Sequence, residues 1–112
     1  MATTLTAPIH AGKSFKVRFE NDNDSTGTVL VVAGWVPKHG TTKPNTRGIV
    51  VPPSGSGGFG GTVLPFKIVR RLSITVSLDH GESGLLEVFE DGEVHFRKVV
   101  RKTTTFEVPV DP

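Results

Sequence analysis

The sequence contains no cysteine and no tyrosine, and it has one tryptophan and one methionine. The missing cysteine excludes a disulfide framework, thiolate metal sites and thiol catalysis together. Without tyrosine there can be no tyrosine corner, and the immunoglobulin Cys pair is absent as well. Lectin-like sites commonly present exposed Trp or Tyr, so a chain whose one Trp, Trp35, lies in an apolar run is poorly supplied for that role.

Long hydrophobic runs are also missing. The longest, Val29 to Val36, has the length of a core strand and falls well short of the roughly 18 apolar residues of a membrane span. The opening "MATTLTAPIHAGKSFK" lacks a charged segment followed by an apolar one, so no secretory signal is expected; a soluble protein is, with the cytoplasm favoured. Charge of one sign is scarce too. Thirteen basic against eleven acidic residues leave a formal charge of +2, which makes nucleic acid a poor candidate partner.

What is present reads as strands. "LSITVSL" puts Leu72, Ile74, Val76 and Leu78 on one side and Ser73, Thr75 and Ser77 on the other. "SFKVRFE" directs Phe15, Val17 and Phe19 inward and Lys16, Arg18 and Glu20 outward, and "TFEVPV" repeats the pattern with Phe106, Val108 and Val110. "TVLVVAGWV" is apolar on both sides, as expected of a central strand covered on each face, with a bulge at Gly34. "RGIVV" and "TVLPFKIVR" add two strands, the second weakened by Pro65. Asp91-Gly92 between "LLEVFE" and "EVHFRKVV" predicts a tight type I′ hairpin. "HFRKVVRK" also fits a basic amphipathic helix, but its Val-Val pair and the following threonines favour strand.

Short strands separated by turn residues predict an all-β fold: an antiparallel two-sheet β-sandwich, immunoglobulin-like or jelly-roll-like, of about seven to nine strands with no substantial helix. One domain is expected over residues 1–112, with residues 1–12 as an extended N-terminal arm. Acidic residues crowd between positions 79 and 93 and are followed by the basic "RKVVRK". Such blocks become faces of strands that pair with each other.

Gly55-Ser56-Gly57-Gly58-Phe59-Gly60 matches the G-x-G-x-x-G string of dinucleotide sites, which works only between a parallel strand and a helix. Here a strand follows. The stretch 52–62 therefore reads as a mobile loop whose aromatic, Phe59, either stands exposed to meet a ligand or partner or tucks back over the core. "ENDNDSTG" bunches hard oxygen ligands, with Asp22 and Asp24 the candidate Ca²⁺ ligands, although the glutamate of an EF-hand is missing and an Asx-rich turn that needs no metal is the favoured reading of these residues. No other cofactor is expected. Histidines 10, 39, 80 and 95 lie in four segments without metal-pair spacing, and "DHGESG" places its polar groups in one turn where they do not converge.

The expectation is a non-catalytic binding module, not an enzyme, that recognises a protein or glycan surface through the loops 20–27, 37–47 and 52–62. Phe59, Lys38, His39, Lys43, Asn45 and Arg47 are its candidate contact residues. The alternative is a self-assembling structural subunit of a shell, fibre or tail, a homo-oligomer joined through edge strands and terminal arms.

Overall fold

Alternation becomes architecture in the computed structural model, which describes residues 2–4, 7–22, 29–38, 46–79 and 81–112, the first three by backbone alone. These residues form ten strands and no helix: β1 (Ala2–Thr4), β2 (Ile9–His10), β3 (Ser14–Asn21), β4 (Val29–Pro37), β5 (Thr46–Val51), β6 (Ser56–Thr62), β7 (Val69–Ser77), β8 (Gly84–Glu90), β9 (Glu93–Val100) and β10 (Thr104–Asp111). One sheet runs β1-β10-β7-β4-β5, with the two-residue β2 also on β10; the other runs β6-β3-β8-β9. The protein is a two-sheet β-sandwich. Its pairings are antiparallel except at the amino terminus, where β1 and β2 lie parallel to β10.

The inward residues of the alternating segments meet between the sheets. Val17 and Phe19 of β3 and Leu86 and Val88 of β8 face Val29 and Val31 of β4, Leu72, Ile74 and Val76 of β7, and Phe106, Val108 and Val110 of β10, all buried. Asn21, at the end of β3, is buried among them and donates its side-chain amide to the Val51 carbonyl at 3.0 Å, tying the second sheet to β5 of the first. The β8–β9 hairpin turns on Asp91 and Gly92, both at positive φ, as a type I′ turn requires. Asp91 also accepts the Ser14 backbone N–H at 3.0 Å, and this bond, helped by Lys13 at 3.3 Å, holds its carboxyl below the usual carboxylate range.

Four expectations need correction. The glycine stretch is not a mobile loop: after the turn at 52–55, residues 56–62 form β6, paired residue for residue with β3. Its glycines are what allow this. A Cβ on Gly58 would sit 2.7 Å from the Val17 carbonyl oxygen, and one on Gly60 would collide with that of Phe15. The segment from Thr62 to Arg70 is not one strand either. Pro65 has no N–H to extend a ladder, and its carbonyl instead accepts the N–H groups of Ile68 and Val69 in a turn that separates β6 from β7.

The central strand β4 is covered on one face only, since Leu30 is 43% exposed while Val29 and Val31 are fully buried. Its open face carries Leu30, Val32, Gly34 and Val36, whose apolar character hides the alternation. Gly34 is not a bulge; the irregularity lies between Val36 and Pro37, and Gly34 makes room for the Thr46 side chain of β5.

Candidate functional site

A sandwich has two open seams where the edges of its sheets part. At one of them β5 and β6 face each other. Pairing with Phe19, Val17 and Phe15 turns Gly57, Phe59 and Gly61 of β6 inward, so two of its three inward positions lack a side chain. On the opposite sheet β4 presents the small Ala33 beside Trp35. The space left unfilled is a cleft of about 350 Å³, walled by the rings of Phe15, Trp35 and Phe59 and floored by Leu72. Phe15 meets Trp35 edge to face, with ring centroids 5.2 Å apart and an interplanar angle of 79°.

Arg47 closes one side. Its register partner is Ala33, which is buried, so the arginine springs from the inward face of β5 although it sits at the sheet edge. From there it reaches across the seam and donates from Nη1 to the Gly60 carbonyl at 3.3 Å. It pairs with no carboxylate among the described residues. Of the described residues lining the cleft, Arg47 is the one that carries a charge. Three aromatic rings, a guanidinium with no carboxylate partner among the described residues and a strip of glycine backbone suit binding of a group that is flat or apolar on one side and accepts hydrogen bonds on another.

No protein-family model, curated protein or solved structure matches this chain. The chemistry of the site must therefore speak through its residues.

Of the residues singled out in the sequence, Phe59 and Arg47 come together at the cleft. Phe59 is half-buried and packs on the core, the second of the two placements its sequence context allows. Lys38, just past β4, is occupied elsewhere, with its ammonium 4.1 Å from the centre of the Phe66 ring. His39, Lys43, Asn45 and Asp24 lie outside the described residues. Asp22 follows β3 and donates its backbone N–H to the Ser83 carbonyl; among the described residues no three His, Asp or Glu side chains gather as metal ligands would. Phe15 and Trp35 escaped the sequence reading because inward aromatics on strands look like core. Only the glycines opposite them turn core into wall.

A second polar cluster lies on the outer face of the other sheet. The carboxylate of Glu87 in β8 is flanked by its register partners Arg18 of β3 and Arg97 of β9. Arg18 donates to Oε1 at 2.7 Å, and Arg97 donates to Oε2 from Nη2 at 2.7 Å and from Nε at 2.9 Å. The acidic and basic blocks of the sequence thus meet here. The Arg97 hydrogen bonds, joined by Arg18, hold the Glu87 carboxyl below its ordinary range against the opposing effect of burial, and Glu87 in turn raises Arg18. A carboxylate with both oxygens engaged this way is a structural tie.

Proposed function

We propose that the protein is a non-catalytic binding module that recognises a protein or glycan surface through the β5/β6 cleft. One observation carries this reading: Phe59 and Arg47, from two separate segments, border the same cleft together with the rings of Phe15 and Trp35. An aromatic pocket beside an arginine with no carboxylate partner among the described residues has the composition of an interface anchor site, where Trp, Tyr, Phe and Arg dominate the binding energy. On a glycan the same rings would stack on a sugar face while Arg47 and the glycine carbonyls take its hydroxyls.

Because Trp35 is the single tryptophan, its fluorescence reports occupancy of the cleft directly. Titration with a panel of oligosaccharides and extended peptides is expected to give a saturable change for a member of the panel. Arg47→Ala should weaken that binding by about 2 kcal/mol, the scale of an interface anchor, with the far-ultraviolet dichroism unchanged. Binding that survives Arg47→Ala and Phe59→Leu at full strength would place the site elsewhere.

A second reading, assembly of identical subunits, is favoured by one feature. The edge strand β6 has seven residues and carries no charge and no proline, the devices that ordinarily discourage edge-to-edge pairing. On this reading the mass measured by light scattering rises with concentration, and Thr62→Lys on the exposed end of β6 returns it to that of the 12.0 kDa chain. A mass of 12.0 kDa at every concentration in the parent would remove it.

A further inference from the structure

At the opposite side of the sandwich, where β9 turns into β10, lies a second cleft of about 300 Å³, and nothing in the binding reading above uses it. Its floor is apolar: Val100 and Phe106 are buried core residues, and the Phe106 ring lies 6.0 Å from that of Phe96. Its rim is cationic, formed by Lys98, Arg101 and Lys102.

The position of Lys98 is unusual. It pairs in register with Leu86, which is fully buried, so Lys98 starts from the inward face of β9 and stands at the lip of the cleft. Arg101 and Lys102 follow in the turn to β10 and complete the rim. None of the three pairs with a carboxylate among the described residues, whereas the neighbouring Arg97 is held by Glu87. Three positive charges around one concavity repel one another, and among the described residues no acid lines the cleft to relieve them.

We infer that this cleft binds a small amphipathic anion, a carboxylate or phosphate head on a short aliphatic chain. The head sits among Lys98, Arg101 and Lys102, and the chain lies in the cleft against the half-exposed Val99, over a floor closed by Val100 and Phe106. A hydrated inorganic anion would satisfy the rim and leave the apolar lining, Val99 above all, in water. A neutral amphiphile would cover that lining and leave the charges uncompensated. Only an anion with an apolar body answers both halves of the surface. The volume is at the small end for ligand pockets, which sets the size of the chain to that of a medium-length alkyl group.

The test is calorimetric titration and thermal denaturation of the whole chain with octanoate and octyl phosphate below their micellar concentrations, alongside octanol, acetate and inorganic phosphate. Octanoate, octyl phosphate or both are expected to bind saturably and raise the melting temperature, and the more effective of the two identifies the head group. Acetate, inorganic phosphate and octanol should leave the melting temperature unmoved. Lys98→Gln should weaken binding roughly tenfold, and added salt should weaken it further, as for a charge held at a partly desolvated rim. The Phe59→Leu change should leave binding intact, which keeps this result separate from the β5/β6 cleft. Octanol binding as well as octanoate, inorganic phosphate binding as well as octyl phosphate, or a Lys98→Gln, Arg101→Gln, Lys102→Gln triple variant binding like the parent would each overturn the inference.

Discussion

Replacing Gly84 by alanine is expected to cost about 1–3 kcal/mol or more of stability, the range for forcing extra atoms into a packed core. Gly84 begins β8 opposite Asn21 of β3. A Cβ there would lie 2.5 Å from Cε2 of Phe19 and 2.6 Å from the Glu20 carbonyl oxygen. Both neighbours are constrained: the Phe19 side chain is fully buried, and the Glu20 carbonyl belongs to β3, one of the two interior strands of its sheet. Either the ring leaves its rotamer or β8 lifts from β3. Gly48→Ala is the matched control, because its Cβ would meet Val32 Cγ2 at an ordinary 3.5 Å. Urea denaturation should therefore separate two glycine-to-alanine changes in the same molecule. Phe19→Leu removes part of the obstructing ring, so Gly84→Ala should cost less in that background than in the parent. Equal costs in the two backgrounds would show that the clash is not with Phe19.

Glu87→Gln is expected to cost about 1–3 kcal/mol near neutral pH, the value of hydrogen bonds to a charged group whose partners are not fully desolvated. The estimate stays below that for a fully buried pair because Arg18 and Arg97 are 33% and 57% exposed and can rehydrate. The pH dependence gives the sharper test. The Arg97 and Arg18 contacts hold the Glu87 carboxyl lower in the folded chain than in the unfolded one. Its contribution is then complete above the unfolded glutamate value of about 4.3 and disappears as the pH falls through the lower folded value. Urea midpoints of parent and variant should differ at pH 7 and converge in acid. A difference that persists unchanged in acid would assign the loss to packing of the side chain and not to its charge.

Where side chains alternate, the fold was legible from the residues. Phe15-Val17-Phe19, Leu72-Ile74-Val76 and Phe106-Val108-Val110 became β3, β7 and β10 with the predicted faces inward. Asp91-Gly92 became the predicted turn because positive φ selects those residue types. The glycine string defeated the same method for a physical reason: a strand of glycines has almost nothing to alternate. What makes "SGGFGGT" a strand is the nearness of β3, a property of its neighbour and not of its own side chains. In β4 the failure was of the opposite kind, since valines and leucine on the open face erased the contrast between the sides.

The candidate site was half legible. Phe59 and Arg47 were singled out for the polar or flexible character of their segments. Their convergence depends on β5 and β6 lying at edges of different sheets that face each other, which strand order decides and composition does not. The inward direction of Arg47 and of Lys98 follows from register with Ala33 and Leu86. An inward cation at an edge strand also hinders pairing with another chain, so each of these residues guards the cleft it lines.

The glycines of β6 also set where this sandwich gives way. Each ordered glycine sacrifices about 0.5–1 kcal/mol more backbone freedom than alanine would, and β6 gathers four of them in seven residues beside a single core-facing ring. Its amides should exchange with solvent through openings that leave the Phe19, Ile74 and Val108 core intact, well before the whole chain unfolds. Such an opening takes Gly60 from Arg47 and parts the wall of the aromatic cleft. The aperture at that seam is then a fluctuating quantity with its own free energy, and a guest seated against Trp35 would be felt first as slower exchange along β6.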